Sequence, residues 1–119
     1  MSACDCTNTH DLCIPAGATF SRVIRYKADG SNVNLTGYTA RMQIRPAAAS
    51  ATTTLSLTTE NTRIALGGTA GTITLSISAT DTAAIASGRY VYDLELVSAG
   101  GIVTRLLQGI VTVSANVTR

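Results

Sequence analysis

Residues 38–45 read Tyr38-Thr39-Ala40-Arg41-Met42-Gln43-Ile44-Arg45. Tyr38, Ala40, Met42 and Ile44 fall on one side of this stretch, and Thr39, Arg41, Gln43 and Arg45 on the other. A period of two marks a strand with one face in a core and one in water. Pro46 has no amide hydrogen for a ladder and ends the strand.

The same period recurs on both sides. Upstream, residues 19–27 place Phe20, Ile24 and Tyr26 on one face, and the Asp29-Gly30 pair that follows suits a tight turn. Downstream come short strands around Leu55 and Leu57 and at 63–66, and then Gly67-Gly68-Thr69-Ala70-Gly71. No Lys-Ser/Thr and no helix follow those glycines, so they read as a hairpin turn rather than a phosphate cradle. Residues 72–78 alternate hydroxyls with Ile73, Leu75 and Ile77, and 80–85 allow one or two turns of helix behind a capping residue. Residues 89–97 carry Tyr90, Tyr92, Leu94 and Leu96 inward, with Asp93 and Glu95 outward. After a turn at 98–101, residues 102–113 form the last strand, with a bulge expected at Gly109. Seven or eight short strands at this spacing predict an all-β, antiparallel, immunoglobulin-like β-sandwich over residues 17–119. Its inward set includes Phe20, Ile24, Met42, Ile44, Ile73, Leu75, Tyr92, Leu94 and Leu96. Tyr90 is either the tyrosine that ties such a fold's corner to its own backbone or simply a large inward side chain.

The composition narrows function. The chain has 119 residues, room for one core. Only 13% are charged, against a typical ~25%. The net charge is +2 and no two Lys or Arg adjoin, so neither a nucleic-acid footprint nor a polybasic membrane patch is expected. No apolar run is long enough for a membrane helix, and the first residues lack the pattern of a secretory signal, which predicts synthesis in the cytoplasm. An enzyme is not expected. The single histidine, His10, lies outside the strands, and the close carboxylates Asp93 and Glu95 stand side by side on one strand face with no cleft between them.

Chemistry concentrates instead in residues 1–16, read as a cysteine-rich N-terminal arm. Cys4, Cys6, His10 and Cys13 supply three thiols and an imidazole within ten residues. Such donors suit tetrahedral zinc, or an iron–sulfur centre shared between chains. Asp5 and Asp11 would assist only from outside the ligand shell. The C-x-C-x3-H-x2-C spacing is not a common zinc-finger spacing, and three readings stand open: a metal site, a local or interchain disulfide, or free thiols. Without metal or partner the arm is expected to be disordered, because Leu12 and Ile14 promise little burial.

The stretch 35–45, together with Gly71-Thr72-Ile73-Thr74-Leu75, Asp81-Thr82-Ala83-Ala84-Ile85, residues 88–96 and Gly109-Ile110-Val111-Thr112-Val113, resembles a family of small tailed-bacteriophage proteins. Similar domains stand at the N-termini of baseplate and receptor-binding proteins. The resemblance covers nearly all of residues 14–119. It implies a β-sandwich virion protein, most simply a tail or baseplate adaptor that positions a tail fibre. It further implies baseplate, fibre or capsid proteins as partners and homo-oligomers within the virion. Capsid decoration is the alternative, and a carbohydrate-binding module a more distant one. The resemblance brings no catalytic residues and does not reach the cysteine-rich arm.

Overall fold

The computed structural model describes residues 8–28, 30–47 and 49–115. In chain order its strands are β1 (Asn8–Thr9), β2 (Leu12–Pro15), β3 (Phe20–Arg25), β4 (Lys27–Ala28), β5 (Ser31–Asn32), β6 (Thr39–Arg45), β7 (Leu55–Thr58), β8 (Ile64–Leu66), β9 (Thr72–Ile77), β10 (Gly88–Val97) and β11 (Val103–Ser114). One short helix, α1 (Ala79–Ala83), lies between β9 and β10. No helix among the described residues is long and apolar enough to cross a membrane.

The larger sheet runs β1-β11-β10-β6-β7, with β2 also on β11, and the smaller runs β3-β9-β8. Their inner faces meet in one aliphatic core. Met42, Ile44, Leu57, Leu94, Leu96 and Val111 come from the larger sheet, and Phe20, Ile64, Ile73, Leu75 and Ile77 from the smaller. Every residue of the expected inward set is buried except Ile24, which is half-buried on an edge strand. The alternation that predicted β6 persists as an exposed–buried repeat along all seven of its residues.

Two expectations change. The larger sheet is not purely antiparallel, because β1 and β2 both pair with β11 in parallel: Thr9 opposite Gln108, and Leu12–Pro15 opposite Val111–Ser114. Residues 8–15 are therefore edge strand rather than a free arm. Leu12 is 3% exposed and Ile14 fully buried, so this segment contributes to the core it was expected to lack. The bulge in β11 also lies elsewhere. Leu94 faces Leu107 while Glu95 faces Arg105, which leaves Leu106 as the extra residue. The bulge turns both Leu106 and Leu107 inward.

The corner before β10 follows its sequence signals. The Ser78 side chain accepts from the Asp81 amide and caps α1. The Tyr90 hydroxyl donates to the Ala86 carbonyl at 2.6 Å, four residues upstream. Inside the same corner, fully buried Thr82 accepts from the Gly17 amide at 3.1 Å and donates to the Ala18 carbonyl at 2.8 Å. That pair of bonds fastens α1 to the turn that leads out of β2.

Candidate functional site

β1 and β2 are one edge strand interrupted by a kink at His10-Asp11, and the residues around the kink are specialised for it. The His10 amide donates to the Gln108 carbonyl at 2.8 Å, and the Ala16 amide to the Ser114 carbonyl at 3.0 Å. Between these bonds the Asp11 carboxylate accepts from the Ile110 amide at 3.0 Å, supplying an acceptor where the bent backbone does not. Gly109 lies under the kink. A Cβ there would run into the His10 carbonyl and come within 2.9 Å of the Asp11 carboxylate, so only glycine lets the two backbones approach this closely.

From the core side, the hydroxyl of Tyr92, a residue only 4% exposed, donates to the same His10 carbonyl. Burial pushes this phenol up to about 12; the nearby Asp11 charge adds to the rise and Arg22 opposes it. Arg22 belongs to β3 in the other sheet, and its guanidinium donates to His10 Nε2 at 2.7 Å. With Nε2 accepting, the neutral ring carries its proton on Nδ1. His10 thus bridges the open side of the sandwich between the two edge strands.

The thiol of Cys13 takes the opposite direction. Leu12 and Ile14 enter the core, so alternation turns Cys13 outward, and it is exposed and free. Of the four sequence-derived metal donors, then, the structure fixes His10 on the inner rim and Cys13 on the outer face of one edge strand. Cys4 and Cys6 lie outside the described residues. Among the described residues no three His, Cys, Asp or Glu side chains gather as a ready metal site.

Two of the molecule's surface depressions carry charged side chains. One, of about 490 Å³, lies on the outer face of the larger sheet between Gln43, Arg45, Asp93 and Arg105. Arg105 meets Asp93 in its wall at 3.6 Å, and Arg41 meets Glu95 at 2.8 Å in a neighbouring depression on the same face. The other, of about 460 Å³, lies beside Asn61, Arg63 and Asp81. There the Arg63 guanidinium binds Asp81 at 2.7 Å and holds its carboxyl below the usual carboxylate range.

Sequence reasoning singled out this segment for its cysteines and missed what holds it to the sheet. Tyr92 read only as core, Arg22 drew no attention, and Gly109 was noticed for a different reason. An isolated glycine inside a strand marks either a bulge or the close approach of another backbone; here it marks the second.

No family model matches the chain, and no curated protein matches it. Solved structures similar to it include CopC from Methylosinus trichosporium OB3b, at 14% identity over 91% of this chain and 89% of that one, with a TM-score of 0.49. Another is the PmoD soluble domain from Methylocystis sp. ATCC 49242 (Rockwell), at 15% identity over 86% and 77%, with a TM-score of 0.46. Neither is a phage structural protein. The phage reading is corrected accordingly: the tail or baseplate adaptor, the capsid-decoration and carbohydrate-binding alternatives, the phage partners and oligomer, and the virion location are all withdrawn. The residues that carried the resemblance are strand alternation and turn glycines, which unrelated sandwiches share.

Proposed function

We propose that this chain is a non-catalytic β-sandwich module that binds one soft metal ion through the thiols of its N-terminal segment. The observation that carries the reading is the Cys13 thiol, exposed on a strand that the sheet holds in place. Unpaired cysteines are among the residues most often buried, where they are inert; an exposed one is available as a ligand. Cys4 and Cys6 supply two more thiols within ten residues of sequence. Three thiolates favour zinc or copper(I), and iron when sulfide completes a cluster. His10 becomes the fourth donor only by giving up Arg22, so the thiols are the principal ligands.

Support for a non-catalytic role comes from how the polar groups are spent. The single histidine accepts from an arginine, and Asp93 and Glu95 are each bridged by one. An immunoglobulin-like arrangement is the finer fold reading. It is supported by the order β3-β9-β8 in one sheet and β11-β10-β6 in the other, and by the Tyr90 corner bond.

The test is titration of the fully reduced protein with Zn²⁺ and, separately, with Cu(I), each against a chromophoric competitor. One ion per chain, lost in Cys13→Ser, is the expected result. Three thiols that stay equally reactive whether or not metal is added overturn the proposal. Thiols that react only after reduction replace it with a disulfide.

A further inference from the structure

We infer that the free edge of β3 is a docking site for an extended acidic peptide segment, which joins the smaller sheet as an antiparallel strand beyond β3.

An open sheet edge accepts another strand unless something blocks it, and the other edges here are blocked or short. The β1–β2 edge is broken by its kink and ends at Pro15. On β7, Asn61 stands in for a neighbouring strand: its side chain accepts from the Thr58 amide at 3.0 Å and donates to the Ser56 carbonyl at 3.0 Å. Arg63 gives that carbonyl a second bond at 2.9 Å. β8 is only three residues long. β3 has none of these guards. Its six residues pair with β9 without a register shift, include no proline, and have no other strand beside them among the described residues.

The register tells which groups are left over. The Tyr26 amide donates to the Gly71 carbonyl at 2.8 Å, continuing the ladder in which Arg25 faces Thr72. Alternation then turns the backbone groups of Phe20, Arg22 and Ile24 toward β9, and those of Ser21, Val23 and Arg25 outward. Apolar surface flanks this row on both sides. Val23 is 53% exposed on the outer face, while Ile24 and Tyr26 are half-buried on the inner one.

Charge selects the occupant. Between Asp11 and Asp29 the sequence carries Arg22, Arg25 and Lys27 and no carboxylate, and β8 and β9 carry no charge at all. None of the three cations belongs to an ion pair among the described residues. A segment that alternates acidic and apolar residues matches both faces at once. Its carboxylates lie beside Arg25 on the outer face and near Lys27 just beyond, and its apolar side chains cover Ile24 and Tyr26. A second copy of β3 matches less well, because it brings like charges together.

The probe is a peptide of about eight residues alternating glutamate and valine, added to the full chain and followed by calorimetry and hydrogen exchange. Binding should slow exchange of the Val23 and Arg25 amides about tenfold or more. Val23→Pro deletes an outward amide that the β3–β9 ladder does not use, and should weaken binding about tenfold or more. Arg25→Glu should do the same, and carries the test alone if Val23→Pro does not fold. In an antiparallel pair the glutamate amides face β3 and the valine amides face away, so N-methylation of the first should abolish binding and of the second should not. Failure to protect Val23 and Arg25, or binding that survives methylation of the glutamate amides, overturns strand addition. A lysine–valine peptide that binds equally well overturns the acidic assignment. A wild-type dimer in sedimentation, lost in Val23→Pro, replaces the peptide with a second copy of the chain.

Discussion

Tyr90 and Tyr92 stand two residues apart on β10, and each sends its hydroxyl to a backbone carbonyl, but the two bonds have different reach. Tyr90 reaches Ala86, four residues back, and Tyr92 reaches His10, 82 residues away. The first closes a corner that the chain has just made. The second holds down a strand laid on the sheet from the opposite end of the sequence. A local tie stabilises a turn that neighbouring residues already favour. A distant one decides whether an entire segment belongs to the fold, so its removal should propagate further.

The largest effect should come from Gly109→Ala. Displacing the kink exposes Leu12 and Ile14, and at about 1.5–3 kcal/mol per buried aliphatic side chain the loss should be about 3 kcal/mol or more. Chemical denaturation checks it, and a loss under about 1 kcal/mol would show that β2 seats independently of the kink. Next comes Thr82→Val at the corner, which removes the hydroxyl of a fully buried side chain and leaves the half-buried Gly17 amide without its acceptor. That should cost about 1–3 kcal/mol. Because Thr82 fastens the corner to the turn after β2, this variant should also speed exchange of the Ala16 amide. If it does not, corner and strand are separate units.

The two tyrosines give the direct comparison. Tyr92→Phe strips the His10 carbonyl of a buried partner and should cost about 1–2 kcal/mol, while Tyr90→Phe, whose bond is exposed, should cost about 0.5–1 kcal/mol. Equal costs would erase the distinction between local and distant ties. The Tyr92 phenol also predicts an alkaline limb. Its pKa is about 12 in the fold against about 10 unfolded, so between those values the unfolded chain has released a proton that the native state keeps. Stability from this group is intact below pH ~10 and falls as pH rises toward ~12, and Tyr92→Phe should flatten that limb. The smallest effect belongs to Asp81, whose bond from Arg63 lowers its pKa. Its contribution is present above the ordinary carboxylate range and disappears as pH falls through the lower native value; Asp81→Asn should remove that part of the acid limb.

The same contrast separates what was legible in the sequence from what was not. β6 and β10 announced themselves because seven and ten residues of alternation leave one facing. The corner was legible because Ser78, Asp81 and Tyr90 lie within thirteen residues and each bonds to a partner inside that same stretch. The edge strand was illegible for the opposite reason. Leu12-Cys13-Ile14 is too short a run to show a period, and the residues that make it a strand are Val111 and Val113, some hundred positions away. The phase of β11 breaks at Leu106, but the sequence pointed to Gly109, because a glycine inside a strand often marks a bulge. At the candidate site the sequence showed that three cysteines and the histidine cluster near the start of the chain. That Cys13 would face out while His10 turned in to Arg22 depended on contacts between two sheets, which no local pattern encodes.

Parallel pairing at the edge gives the molecule a direction. The described chain enters the larger sheet at Asn8, beside Leu107, and leaves it at Ser114, beside Pro15. Seven residues of β11 separate those points, roughly 23 Å at ~3.3 Å per residue. An antiparallel edge strand would have brought entrance and exit to the same pole. Here they sit at opposite poles, so copies joined by short linkers would queue nose to tail, like carriages rather than a folded ruler, and anything fused at one end is carried away from the other.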